Sequence, residues 1–357
     1  MLGGYGNFGK RIALALTQKG IFVIIAGRSK EKAEAFANTL PSSLATVAIF
    51  DASKDLSQQL GLLQPSIAIN TCGPFQTSNY DVATVCISHS VHYIDLADGR
   101  EFVKGIVQLD AQARQNNVAV ISGASSVPGL SSAVLEQYVQ DFSVIESLKY
   151  GISPGQKSER GLATTQAIMT YVGKPIKPFA GCGGETYGWQ DIYRQEYPGI
   201  GKRWMANCDI PDLDLLPTRY GIGSIKFSAG IELSFMHLGV WVLSWLVRIG
   251  MPIDLPKHAA MLLRISNCFD GLGTDNGGMH MIIRGKNKAG EPHERRWFII
   301  AKNGDGPNIP CVPAIVLANK LALGEPLAVG AYPCVGLITL DEYMAELKKF
   351  SIHQVAY

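Results

Sequence analysis

Charge is scarce in this 357-residue sequence: 17% of residues are Asp, Glu, Lys or Arg, the net charge is +2, and no dense Lys/Arg tract occurs. A nucleic-acid binder carries a basic footprint, so no nucleic-acid partner is expected. The small cluster Glu294-Arg295-Arg296 reads as the solvated side of a strand. Cysteine pairs are lacking as well. The seven cysteines (Cys72, Cys86, Cys182, Cys208, Cys268, Cys311, Cys334) form no Cys-x-x-Cys element and are odd in number. That argues against a structural zinc or a disulfide framework and for reduced thiols in the cytoplasm. His89 and His92 lack the i, i+4 spacing and neighbouring Glu of a zinc-protease helix, and they read as structural. The opening Met1-Leu2-Gly3-Gly4 has neither a basic leader nor an apolar signal core, so nothing points to secretion.

Long apolar runs are missing too. The most apolar stretch, residues 233–247, contains His237 and falls short of the roughly 18 residues that a membrane span needs. No integral span is expected. A buried or amphipathic helix is, with a peripheral membrane or oligomer contact, such as a homodimer, as the alternative.

What is present is a globular composition, 47% hydrophobic, at a length that favours two domains. The first 125 residues are the informative part. Gly4-Tyr5-Gly6-Asn7-Phe8-Gly9 is a G-x-G-x-x-G element followed by a helical pattern over 10–19 that closes at Gly20. Next comes the β-branched run Ile21-Phe22-Val23-Ile24-Ile25, the signature of a parallel strand buried on both faces. Turn, helix and strand make a βαβ unit. Gly4 would form the tight turn, Gly6 would let the backbone approach a pyrophosphate, and Gly9 would let helix and strand pack closely. Asn7 and Phe8 lie between them, and the phosphates would rest on the helix N-terminus.

Alternation continues with a helix over 29–40 capped by Ser29, a strand over 45–50 ending at Asp51, and another over 66–70. A helix over 78–88, a strand over 91–96, a helix over 101–116 and a strand over 118–122 follow. This predicts an α/β fold, a doubly wound Rossmann domain. One element is short: only two or three residues precede Gly4, where a first strand of about five is normal. The expectation is that the natural chain starts upstream of Met1 or has lost its N-terminal end here.

Cofactor choice turns on Gly27-Arg28-Ser29-Lys30, where an NAD-preferring domain carries Asp or Glu for the ribose hydroxyl. No carboxylate stands there to repel a 2′-phosphate. Arg28 offers a planar fork of donors, and Ser29 and Lys30 add a hydroxyl and a charge. NADP(H) is favoured.

Several pieces together resemble the saccharopine dehydrogenase-like oxidoreductases: Gly3-Gly4-Tyr5-Gly6-Asn7-Phe8-Gly9, Ala26-Gly27-Arg28-Ser29, Asn70-Thr71-Cys72-Gly73-Pro74-Phe75, Tyr93-Ile94-Asp95-Leu96 and Val127-Pro128-Gly129-Leu130. The resemblance covers residues 3–135 and is looser beyond. It implies that the loop from Asn70 passes beside the cofactor, with Cys72, Gly73 and Pro74 towards the nicotinamide. It also implies hydride transfer to or from a small imine, amine or carbonyl substrate. A short-chain dehydrogenase is excluded, because no Tyr has Lys four residues later. Tyr93, Asp95, Asp98 and Cys72 fall at strand ends, where such sheets hold ligands, but none is assigned as the acid–base group. A non-catalytic NADP(H) sensor or scaffold is the competing expectation.

From Val144 the texture changes, and residues 126–307 are expected to form an α+β substrate or dimerisation domain. Its parts are a strand over 144–150, a helix over 161–171, and a hairpin of 279–284 with 296–301 across Asn287-Lys288-Ala289-Gly290. Trp189, Tyr193, Tyr197 and Trp204 either wall a ligand cleft or anchor a loop. Helices over 312–323, stopped by Gly324, and 340–349 are expected to bring residues 308–357 back to complete the 1–125 domain.

Overall fold

The computed structural model describes residues 1–357. Five strands come first: β1 (Val23–Gly27), β2 (Ala45–Ile49), β3 (Ile67–Asn70), β4 (His92–Asp95) and β5 (Ala119–Ser122). They are followed by β6 (Val144–Ser153), β7 (Pro175–Ile176), β8 (Thr186–Tyr187), β9 (Tyr193–Tyr197) and β10 (Gly201–Asn207). The last five are β11 (Ser224–Ala229), β12 (Gly277–Lys286), β13 (Pro292–Ala301), β14 (Gly330–Pro333) and β15 (Ile352–Ala356). The chain divides into two compact units, one of residues 1–133 with 308–346, the other of 134–307 with 347–357.

The first unit is a parallel α/β sheet. β2 pairs with β1, and β14, β5, β4 and β3 lie side by side, all parallel. Leu2 joins the two sets by parallel bridges to Ala26 in β1 and Asn70 in β3. Ala26 N donates to Met1 O, Leu2 N to Ile69 O, and Thr71 N to Leu2 O, at 2.9, 2.9 and 3.1 Å. Two residues thus hold the central strand position that the sequence left nearly empty. Helix α1 (Asn7–Gln18) buries Ile12, Ala13 and Leu16 on one face. Its end turns at Gly20, whose φ of +79° suits glycine. β1 starts two residues later than the apolar run because Ile21 N still bonds Leu16 O and Phe22 is exposed. Helix α2 (Lys30–Ala37) is capped by Ser29, whose Oγ accepts from Lys32 N at 3.3 Å. The single helix expected over 101–116 is instead Arg100–Gly105, a 3-10 turn over Ile106–Leu109, and Asp110–Gln115. Helix Val312–Ala322 buries its residues from Val312 to Ala318 in this unit. Strand β14, which follows it, has four residues and no apolar–polar alternation to mark it in the sequence.

The second unit is built on a seven-stranded mixed sheet in the order β15-β13-β12-β6-β11-β10-β9. Only the β6–β11 pair is parallel. The β12–β13 hairpin is longer than expected, pairing Gly277 with Ala301 through to Lys286 with Pro292. Asn287 Oδ1 organises its turn by accepting from Ala289 N and Glu291 N, both at 2.9 Å. β15 corrects one expectation: residues 347–357 extend this sheet through β13 rather than joining the first unit. An edge strand finds partners by backbone register, which a short exposed sequence does not announce.

The apolar segment forms a 15-residue helix, Ser234–Arg248, whose fully buried residues are His237 and Ser244. Its apolar side chains Phe235, Val242 and Trp245 are exposed. No helix is long and apolar enough to cross a membrane. Among the four aromatics, Trp189 and Tyr197 are buried anchors, the first tilted against the His237 ring and the second bonded to His280 Nδ1 at 2.9 Å.

Candidate functional site

The C-terminal ends of β1, β2 and β3 open on a cleft of about 760 Å³ in the first unit. Its position follows from topology. β1 and β3 leave the central Leu2 position in opposite directions along the sheet, and ligands of such sheets bind where the strand order reverses.

The floor is the turn 3–6. Gly3 takes φ +71° and Gly6 N closes the turn on Gly3 O at 2.8 Å. The glycine-demanding bend therefore sits at Gly3, not at Gly4. Gly6 is the N-cap of α1 and supplies no side chain, so the first-turn N–H groups, which have no carbonyl one turn earlier, are not covered by a cap. Gly9 lies under the turn: a Cβ there would stand 2.3 Å from Gly3 O and 2.9 Å from Gly4 Cα. Thr71 clips the second loop to this floor, its Oγ1 donating to Leu2 O at 2.9 Å and to Gly3 O at 3.2 Å.

Tyr5, in the middle of the glycine turn, braces the next loop. Its ring covers Gly27, where a Cβ would come within 2.4 Å of it, and its hydroxyl accepts from Ser29 N at 3.0 Å. This bond holds the 27–29 turn beside the glycine floor. Replacing Tyr5 by Phe is expected to cost about 1 kcal/mol of stability. Chemical unfolding with and without NADPH would show whether the loss also reaches the cleft.

Six of the thirteen expected cofactor residues line the cleft: Gly6, Arg28, Asp51, Asn70, Cys72 and Gly73. Gly4, Asn7, Phe8, Gly9, Ser29, Lys30 and Pro74 do not. Ser29 is occupied as the α2 cap. Exposed Lys30 lies 3.8 Å from Glu34. Asn7 Oδ1 accepts from Arg11 Nη1. Arg28 is exposed at the mouth. Asp51, at the end of β2, accepts from Ser53 N and Oγ at 3.0 and 2.8 Å. These bonds, with Lys54 and Arg28 nearby, hold its carboxyl below the usual range. A carboxylate absent from the end of β1 is thus brought to the same cleft by β2.

Asn70 organises the far side. It is 5% exposed, accepts from Cys72 N at 3.0 Å and donates from Nδ2 to Tyr93 OH at 3.1 Å. Asp95 is fully buried, and its Oδ1 accepts from Ala97 N, Ser122 Oγ and Gly123 N at 2.9, 3.0 and 2.9 Å. Burial pushes its pKa up to about 6 against the pull of these donors. Burial likewise raises Asp98, whose Oδ1 accepts from Gln76 Nε2 at 2.9 Å. Asp95 and Tyr93 are therefore structural in their contacts. Among the strand-end candidates, Cys72 lines the cleft.

The arrangement fits a dinucleotide: a helix whose N-cap is a glycine, a turn beneath which no Cβ fits at Gly9, and a cleft lined by a guanidinium. Residues 1–121 match the family model "Saccharopine dehydrogenase NADP binding domain". A comparison with curated protein sequences gave no match. Among solved structures, the saccharopine dehydrogenase (L-Glu forming) of Saccharomyces cerevisiae superimposes with a TM-score of 0.66 at 12% identity, covering 99% of this chain and 98% of that one. Amine dehydrogenase from Mycobacterium smegmatis gives 0.51 at 12% identity, covering 92% of each. The first 121 residues are thus an NAD(P)-binding domain of the saccharopine dehydrogenase type, and the whole chain has the saccharopine dehydrogenase fold.

Proposed function

We propose that the protein is an NADP(H)-dependent oxidoreductase that moves a hydride to or from a small imine, amine or carbonyl substrate. The observation that carries this reading is the glycine turn leading into α1, whose Gly3 and Gly6 line the same cleft as Arg28. The bound nicotinamide would supply the hydride, while this chain's residues bind and orient it. Gly3, Gly6 and the first turn of α1 would hold the pyrophosphate. Arg28 would pair with the 2′-phosphate through two parallel N–H bonds, with Lys30 adding charge. Asn70 would fix the Cys72–Gly73 backbone along the nicotinamide side. The names of the structural relatives support amine chemistry as the substrate class to screen first.

Fluorescence titration with NADPH and NADH tests the cofactor. NADPH is expected to bind the wild type more tightly. Arg28→Ala should weaken NADPH by about 10- to 100-fold, the loss of one charged hydrogen-bonding group, and leave NADH nearly unchanged. Equal losses for both dinucleotides would sink the 2′-phosphate role. Asp51→Asn should move the preference further towards NADPH, because it removes a carboxylate that interacts with Arg28 in the cleft.

The sensor or scaffold reading draws on one observation: Asp95 and Tyr93 are both committed to internal hydrogen bonds. NADPH oxidation in the presence of an amine and a carbonyl compound would exclude it. A cytoplasmic homodimer is the cellular form we propose, and sedimentation of the purified protein checks its mass.

A further inference from the structure

In the second unit two lysines stand side by side with one nearby carboxylate, Asp191, which is bonded to Lys226. β6 and β11 pair in parallel with Lys149 opposite Lys226, so both ammonium groups project to the same face of the sheet. Tyr193 of β9 packs against both: its ring centroid lies 3.4 Å from Lys149 Nζ and 5.1 Å from Lys226 Nζ. Like charges at paired positions destabilise a sheet. A third cation, Arg284 of β12, sits close by, since Ile282 pairs with Lys149 and Arg284 with Ser147.

The acids nearby do not balance this group. Asp191 bonds Lys226, and Glu294 bonds Arg284. Lys149 has an aromatic face but no carboxylate partner of its own. Burial, with Lys226 and Arg284 close, holds its ammonium pKa below the usual lysine range, and Asp191 only partly offsets them. A second, independent feature lies one row further along the same face. Ser228, Gly151 and His280 stand abreast on β11, β6 and β12. Ser228 and His280 are 0% exposed; Ser228 and the Tyr193 hydroxyl answer each other, while His280 Nε2 finds no hydrogen-bond partner. Buried polar atoms are almost always satisfied, so His280 Nε2 is one partner short in the row next to the surplus positive charge.

We propose that Lys149 and Lys226, packed on Tyr193, form a binding site for a small organic carboxylate. Adjacent strands lie about 4.8 Å apart, a spacing at which one carboxylate offers an oxygen to each ammonium group. Binding removes the like-charge conflict. Lys226, 30% exposed, leaves an approach from solvent.

The test uses the full-length protein without any dinucleotide, so its failure is separate from failure of the hydride-transfer reading. Malonate is titrated by calorimetry into wild type, Lys149→Gln, Lys226→Gln and Lys149→Arg, with inorganic phosphate as a parallel arm. In the same samples, labelling of each lysine by an amine-reactive reagent is followed by mass spectrometry. The expected result is saturable malonate binding, weakened about tenfold by either glutamine and restored by arginine. Lys149 should also label faster than exposed Lys302 and be protected by malonate. The site is overturned if malonate does not saturate, or if both glutamine variants bind as the wild type does. Phosphate binding as tight as malonate would overturn the carboxylate assignment.

Discussion

Gly9→Ala is expected to lower stability by about 1–3 kcal/mol, the usual cost of forcing a methyl group into a filled site, and to reduce NADPH affinity at least about a hundredfold. The added Cβ would stand 2.3 Å from Gly3 O and 2.9 Å from Gly4 Cα. Both are backbone atoms, so no side chain can rotate away. Helix α1 must then lift from the turn that it supports, and the first-turn N–H groups move with it. Gly20→Ala is the control. Gly20 has φ +79° with open space around its missing Cβ, so it should lose about 1 kcal/mol and keep its affinity. Urea unfolding measures the first quantity and fluorescence titration the second. A Gly9→Ala protein that is destabilised but binds NADPH normally would show that the turn is not the phosphate cradle.

Asp95→Ala should cost about 3 kcal/mol or more, because it strands Ala97 N, Gly123 N and Ser122 Oγ inside the sheet, and each buried orphan donor costs about 1–3 kcal/mol. Asp95→Asn keeps an acceptor in place and isolates the charge. An unfolded Asp titrates near 3.9, while the folded carboxyl titrates at about 6. Between these values the native state holds a proton that the unfolded state has released. The contribution of Asp95 to stability is therefore fully present below pH ~4, is lost as pH rises through about 6, and is constant above that. Two pKa units correspond to ~3 kcal/mol. The stability of wild type relative to Asp95→Asn should accordingly fall by an amount of that order between pH 4 and 7. A difference that stays flat over this range would mean that Asp95 titrates like an exposed carboxylate.

Local patterns carried the first unit because its elements obey local rules. The run 21–25 is β-branched and bounded by glycines, and α1 shows its apolar face in its own sequence. Errors of boundary arose where tertiary contacts intervened: Ile21 is claimed by the α1 terminus, and the helix expected over 101–116 breaks at Ile106–Leu109. In the candidate site, the glycine pattern and Arg28 were legible. Gly3 as the bend, Tyr5 as the brace and Thr71 as the clip were not, since each acts through residues distant in sequence, from Ser29 for Tyr5 to Leu2 for Thr71.

The sequence by itself determined the α/β class, the place of the glycine turn and the lack of a carboxylate at the end of β1. These are properties of short segments, set by backbone freedom and side-chain periodicity. Tertiary structure alone decided that two residues, Met1 and Leu2, suffice to join β1 to β3, that Asp51 comes to the cleft that holds Arg28, and that β15 closes the edge of the second sheet. It also decided that Lys149 and Lys226, 77 positions apart in the chain, meet on one face. Strand register is a cooperative choice among many backbone pairings, and its outcome is not written in any one segment.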